Sequence, residues 1–423
     1  MSKERVSSAP ALSGRALARA IFDCDVPEAM IKEMPAQSLY YAILENGLDS
    51  SSDLLKLITI DQQKALLDFD CWESDNFRED RFWQWLEIAC SEDDFSLLRK
   101  LIQAVDLKII ALIIGRQAEI VTNEEPTDAP PGPHFYTPDR GYTWIGLLTE
   151  DPDKERLIGR LLAYLYESNT DLFYQLIQIP TVETSSVLEE ESFQDKERRI
   201  QCEGIPSRDC AFETISALKP EVALAALREP KTILPLAAGT VIEPIIAGRF
   251  RLAPLQGILE RRGGLDDVKI ELSHLMNCLV VRYNIPFFED DVVKTLREKM
   301  LGAINIGLHY LVQKSNLDAD EIISRGGFKT PLRVGLWLLQ DLRASIVKLS
   351  ESLVELLPQD SHLFLIVAGI RENIPALPSF YDTDLNFLKT PGPIEQEWKA
   401  FETLGEVESV RAFAERELQK LKH

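Results

Sequence analysis

Side chains that exchange protons near neutral pH are scarce in this sequence. Five histidines are spread over 423 residues, one of them the last, His423, which leaves little imidazole for acid–base work or metal ligation. Six cysteines (Cys24, Cys71, Cys90, Cys202, Cys210 and Cys278) form no C-x-x-C pair, the nearest two being Cys202 and Cys210. That excludes a local zinc motif and points to reduced thiols packed as small apolar groups. Positive charge is short as well: 46 Lys and Arg against 68 Asp and Glu give a net charge of −22. Arg198-Arg199 and Arg261-Arg262 sit among acids, so no basic face for nucleic acid is expected. Long apolar runs are missing. The stretch 101–115 is broken by Asp106 and Lys108, and 232–248 by Pro235, Glu243 and Pro244, so no membrane insertion is expected. The first ten residues carry no apolar core of a secretory signal, and a cytoplasmic protein is expected. Neither G-x-x-x-x-G-K-[ST] nor G-x-G-x-x-G occurs, and no local triad or ligand set is visible. No catalytic, cofactor-binding or metal residues are therefore assigned, and no cofactor is expected.

What the sequence does hold is helical periodicity. From Leu332 the residues Gly335, Leu339, Leu342, Ile346, Leu349, Leu353 and Leu356 step by threes and fours. Thr330 is a candidate N-cap, Pro331 suits the first helical position, and Pro358 closes the run. A helix over 330–357 would be roughly 40 Å long at about 1.5 Å per residue, enough to cross a domain. Val293, Leu296, Met300, Ala303, Gly307 and Tyr310 repeat the spacing, and small Ala303 and Gly307 would let the long helix approach closely.

Before that rod, residues 1–11 read as a disordered lead-in and 12–120 as stacked helical hairpins. Pro35, Thr59 and Ser207 open helices, and Gly47 ends one. Residues 121–148 are proline-rich. Aromatic and β-branched residues around Pro138-Asp139-Arg140-Gly141 predict a small β-hairpin or extended flap near 134–147, serving as the boundary to a main helical domain, 149–390. Residues 391–423 read as a tethered C-terminal helix, with Trp398, Phe401, Leu404 and Val407 opening its apolar side. The fold class expected is mainly α. Asp68 and Asp70 read as solvated turn residues, Trp83 and Trp85 as core anchors, and Glu189-Glu190-Glu191 with Arg198-Arg199 as an exposed helix of weak ion pairs.

Two resemblances follow from particular phrases. The Leu54-to-Leu67 stretch resembles the stacked N-terminal helices of MgtE magnesium transporters and of the flagellar switch protein FliG. Over nearly its full length the chain resembles an uncharacterised bacterial family known chiefly from delta-proteobacteria. The phrases that carry this are Pro35-Ala36-Gln37-Ser38-Leu39, Asp68-Phe69-Asp70-Cys71-Trp72, Asn277-Cys278-Leu279-Val280, Asn305-Ile306-Gly307-Leu308, Pro331-Leu332-Arg333-Val334-Gly335 and Ala368-Gly369-Ile370-Arg371. That family is a domain of unknown function, so the resemblance implies a bacterial cytoplasmic origin and no activity.

The functional expectation is a non-enzymatic helical scaffold or regulatory adaptor that binds another protein. One alternative is an enzyme or small-molecule binder with a pocket between the helical halves, formed by Arg140, Asn277, Asn305, His309 and Arg371. A divalent-cation-responsive regulator using acidic helix ends is a second alternative.

Overall fold

The computed structural model describes residues 21, 27–91, 95–228, 254–262, 266–286, 290–350, 362–379 and 398–422. They are mainly helical, with short strand pairs. The chain divides into two compact units, Met1–Glu203 and Gly204–His423. The proline-rich stretch expected as the join lies inside the first unit. The expected lead-in 1–11, the apolar stretch 232–248, Leu353, Leu356 and most of the proline tract before Trp398 fall outside the described residues.

In the first unit, helices α1 (Pro27–Lys32), α2 (Ala36–Asn46), α3 (Ser52–Leu57) and α4 (Ile60–Asp70) lead to a two-stranded ribbon, β1 (Trp72–Glu73) and β2 (Asn76–Phe77). Then come α5 (Glu79–Ala89), α6 (Ser96–Ala104) and α7 (Leu107–Gln117), the strands β3 (Ala118–Thr122), β4 (Phe135–Tyr136) and β5 (Thr143–Leu147), and α8 (Pro152–Ser168), α9 (Thr170–Val182) and α10 (Ser185–Cys202). Local signals start and stop these helices where the sequence places them. Thr59 caps α4 in a reciprocal capping box with Gln62, and Gly47 follows α2 at φ +87°. Gln62 also donates to the Ile31 and Met34 carbonyls, which fastens α1 to α4.

Hairpins alone bury little, and here they close on α7. Its Ile109, Ile110, Leu112, Ile113 and Ile114 are all buried, which is why it is apolar all round. α9 and α10 pack against it, with Gly115 facing the Pro180 ring.

The expected hairpin is present as β4 paired with β5, and a third strand joins on the other edge of β5, in the order β3-β5-β4. The join is fixed by Asp139, whose carboxylate accepts from the Thr143 amide (2.7 Å), the Thr137 hydroxyl (3.0 Å) and the Tyr174 phenol (2.8 Å) on α9. Burial pushes the Asp139 carboxyl up, but these donors outweigh it and hold it below the usual value. The unfolded chain therefore takes up a proton before the folded one as pH falls. The stabilisation is complete above about pH 4 and disappears as pH drops through the folded value. Asp139→Asn is expected to flatten the acid limb of the unfolding curve by less than about 1 kcal/mol, since the group is partly exposed. A titration of urea midpoints between acid and neutral pH checks it; an unchanged acid limb contradicts it.

The second unit contains α11 (Arg208–Ile215), α12 (Pro220–Ala226), α13 (Leu255–Arg262), α14 (Asp266–Tyr283), α15 (Asp290–Lys314), α16 (Ala319–Gly326), α17 (Lys329–Ser350), α18 (His362–Arg371), β6 (Ala376–Pro378), β7 (Trp398–Ala400) and α19 (Leu404–Lys422). α17 is the expected rod. Leu332, Leu339, Leu342 and Ile346 are buried along one stripe. It packs most extensively on α15. The small residues do what their size allows: a Cβ on Gly307 would overlap the Pro331 carbonyl oxygen, and one on Gly335 would overlap that of Ala303. The two backbones are in direct contact.

The start of α17 differs from expectation. Thr330 is not its N-cap; its hydroxyl donates back to the Gly326 carbonyl (2.8 Å). The half-buried Glu271 carboxylate of α14 accepts from the Lys329 amide (3.1 Å) instead. A negative group at a helix N-terminus satisfies free amides and complements the helix dipole. The C-terminal segment also differs. Trp398 and Ala400 belong to β7, paired antiparallel with β6, and the helix begins at Leu404. That helix docks on α17, where Arg411 reaches Asp341 (2.8 Å) and the Ser345 hydroxyl (3.2 Å).

Candidate functional site

The carboxylates expected in solvent are inside the first unit: Asp70 is 1% and Asp68 6% exposed. Both lie at the end of α4, where the chain turns into the β1–β2 ribbon. The Asp70 Oδ1 accepts from the Tyr40 phenol (2.6 Å) and from Arg81 Nη2 (2.5 Å). Its Oδ2 accepts from the Trp85 indole (2.7 Å) and from Arg81 Nε (3.1 Å). An ionised carboxylate has about four acceptor positions, so this one is saturated and has none left for a substrate proton. Burial and the adjacent Asp70 charge push the Tyr40 phenol well above its usual value, so it remains a donor. Burial likewise pushes up the Cys71 thiol, which keeps it protonated and inert. Trp83 and Trp85 are core anchors as expected, and Trp85 is a hydrogen-bond donor too.

Asp68 meets Arg199 of α10 through two parallel bonds, to Nε (2.7 Å) and Nη2 (2.8 Å), and Arg199 Nη1 also reaches Asp106 (3.5 Å). Burial raises the Asp68 carboxyl while Arg199 pulls it back. Next to the pair is a cavity of about 20 Å³ lined by Asp68, Asp106, Arg199 and Lys64, with room for about one water. The acidic helix α10 is thus a clamp, not a solvated rod. Glu189 accepts from Arg116 (2.6 Å) and from the Phe77 amide (2.9 Å), and Lys108 pairs with Glu191 (2.8 Å) and Asp195 (3.1 Å). These ties join α10 to α4, α7 and β2.

The five residues expected to line a pocket are distributed as follows. Arg140, in the first unit, is exposed at the hairpin turn with φ +62°. The other four are in the second unit. Asn277 is fully buried on α14 and donates to the Gly204 carbonyl (3.2 Å). Asn305, also fully buried, accepts from the Leu255 amide at the start of α13 (3.0 Å) and donates to the Glu402 carbonyl before α19 (2.8 Å). Gly302, one turn earlier, lets that segment lie flat on α15, because a Cβ there would overlap the Phe401 carbonyl. His309 shares a hydrogen bond with Gln313 (3.0 Å), and its Nδ1 is buried without a partner. Arg371 is exposed at the end of α18. The two asparagines act as staples between backbone segments. Asn305→Leu, which keeps the volume and removes both bonds, is expected to cost about 2–4 kcal/mol by stranding a buried amide and carbonyl. Urea unfolding checks it, and a loss below about 0.5 kcal/mol contradicts the staple role.

Sequence reasoning missed a groove on the first unit. It has a volume of about 580 Å³ and is lined by Lys56, Ile60, Phe95, Arg99, Lys100 and Tyr164, among others. Lys100 donates to the carbonyls of Leu55 (2.7 Å) and Lys56 (3.0 Å), and to that of Ile58, closing the end of α3. Burial pulls its amine down to about 8, while three carbonyl acceptors favour the charged, three-donor form. Phe95 holds a left-handed backbone at φ +55°, with its ring 5.6 Å from Tyr164 and the Arg160 guanidinium 5.2 Å from its centroid. The available signal was the Arg99-Lys100 pair, which breaks the apolar run of α6 on its outward face.

Among the described residues no helix is long and apolar enough to cross a membrane, and no group of three His, Cys, Asp or Glu side chains is placed to hold a metal ion. No curated protein and no solved structure matches the chain. A family model does match, covering residues 1–417, and the chain belongs to it: the Family of unknown function (DUF6178).

Proposed function

We propose that the chain is a non-enzymatic, cytoplasmic helical scaffold or regulatory adaptor that binds another protein. The observation that carries this reading is how the interior polar groups are committed. Asp70 is saturated by Tyr40, Arg81 and Trp85, Asp68 is held by Arg199, Glu271 caps α17, and Asn305 bridges two backbone segments. Each fixes one helix to another, and satisfied buried networks of this kind specify packing rather than supply reactive groups. Function then belongs to the surface. The test is capture of the tagged full chain from its source cells, followed by reconstitution of the complex from two purified chains. A single partner at fixed stoichiometry is the expected result. A chain that elutes alone at cellular concentration, with no stoichiometric companion, overturns the reading.

A further inference from the structure

The helix α10 lies antiparallel to α7, as the order of its ties shows: Glu189 meets Arg116 (2.6 Å), Asp195 meets Lys108 (3.1 Å) and Arg199 reaches Asp106 (3.5 Å). Its buried side chains are Leu188, Ser192, Lys196 and Ile200, four residues apart along one stripe. The middle of that stripe is polar. The Ser192 hydroxyl is buried with no hydrogen-bond partner among the described residues, a costly arrangement. The Lys196 ammonium meets Glu197 (3.1 Å) and the Phe193 ring (5.0 Å), both on its own helix. α9, which packs on α7 as well, buries Phe173, Leu176 and Ile177. One cover of the apolar helix is therefore oily and the other is not.

Charge holds α10 in place. Lys108 also meets Glu191 (2.8 Å), the Phe77 amide donates to Glu189 (2.9 Å), and Arg199 gives two bonds to Asp68 (2.7 and 2.8 Å). Asp68 and Asp106 are well covered, but Lys108, Arg116, Glu189, Glu191, Asp195 and Arg199 are between 22% and 47% exposed, so dissolved salt reaches them. The connection leading into the helix is open to water. Val182, Glu183 and Thr184 are exposed, and the Thr184 side chain makes no cap bond. Segments with few apolar contacts and solvent-reached ties are the ones that open locally.

We propose that α10 is a releasable strap over α7: its ion pairs hold it closed, and when they are weakened it opens as one segment while α7 and α9 stay folded, uncovering apolar surface on α7. The paired bonds from Arg199 to the covered Asp68 are the strongest tie and set the register of the closed position. The strap concerns only how α10 is seated, so it stands or falls separately from the adaptor reading.

The test is hydrogen exchange of the full chain, read by mass spectrometry at about 0.1 M and about 1 M sodium chloride, between which the screening length falls from about 10 Å to about 3 Å. Amides of α10 are expected to exchange at least about tenfold faster at the higher salt, while those of residues 109–114 on α7 keep their rate. Lys108→Glu should open α10 at the lower salt. Adding Glu191→Lys to it should recover most of the protection, which a packing role for the lysine stem could not produce. At equal salt, Lys108→Glu is also expected to bind the apolar-surface dye anilinonaphthalene sulfonate more strongly than the parent does. One common exchange rate for α7 and α10 at both salts overturns the proposal, because α10 then parts only with the whole unit. Exchange of α10 that ignores salt overturns it too, as does a Lys108→Glu/Glu191→Lys chain no better protected than Lys108→Glu. Should Lys108→Glu fail to fold, the salt series on the parent decides alone.

Discussion

Gly335→Ala is expected to destabilise the second unit by at least the upper end of the about 1–3 kcal/mol typical of overpacked cores. The added methyl meets the Ala303 carbonyl oxygen, a backbone atom of α15 that no rotamer change can move. Gly307→Ala meets the Pro331 carbonyl of α17 from the opposite side and is expected to behave alike. The contact can be relieved only by separating the helices, which loosens the stripe of Leu332, Leu339, Leu342 and Ile346 along its length. Gly159 on α8 is the matched control, because a Cβ there has nothing within 4 Å. Gly159→Ala should be neutral or gain about 0.5–1 kcal/mol from reduced chain entropy. Urea unfolding followed by circular dichroism separates these outcomes. Equal midpoints for Gly335→Ala and Gly159→Ala would mean that α15 and α17 are not in backbone contact.

Asp70→Ala is expected to cost about 3–5 kcal/mol in the first unit, the usual loss when one partner of a buried ion pair is removed. It strands the Tyr40 phenol and the Trp85 indole and takes two hydrogen bonds from the Arg81 guanidinium, in a site whose largest members are fully buried. Asp70→Asn keeps the shape but can accept through one oxygen only, so a smaller but substantial loss is expected. Trp85 provides a local readout, since its indole N–H loses its acceptor and its fluorescence should shift. A variant that unfolds at the parent's urea concentration would show that this carboxylate is not holding α2, α4 and α5 together. Such a result would reopen the possibility that it serves chemistry.

Helix existence and the main contact of the rod were legible in the sequence because both are local or periodic. The Leu332-to-Ile346 stripe, the Thr59 cap, the Ser207 cap that accepts from the Cys210 amide, and the turn at Pro138–Gly141 each depend on residues a few positions apart. Gly307 opposite the long helix was readable from size alone. What escaped depends on residues far apart in the chain. Asp68 looks like a surface acid until Arg199 is known to sit on it, and Asp70 until Tyr40 and Trp85 do. Thr330 has the chemistry of a cap, yet Glu271 from another helix takes the position. Residues 398–400 carry helical-looking spacing, but pairing with Ala376–Pro378 outweighs it. The groove combines side chains from four helices, α3, α4, α6 and α8, of which only Arg99-Lys100 form a local pattern.

Native-state hydrogen exchange on the full chain tests most directly whether packed helix backbones, and not a reactive centre, organise this molecule. Amides between Leu332 and Ile346 on α17, and those facing them on α15 from Met300 to Leu308, should be the slowest in the second unit and exchange only when that unit unfolds as a whole. Exchange of those amides at the rate of exposed helix ends, with protection concentrated elsewhere, would contradict the account.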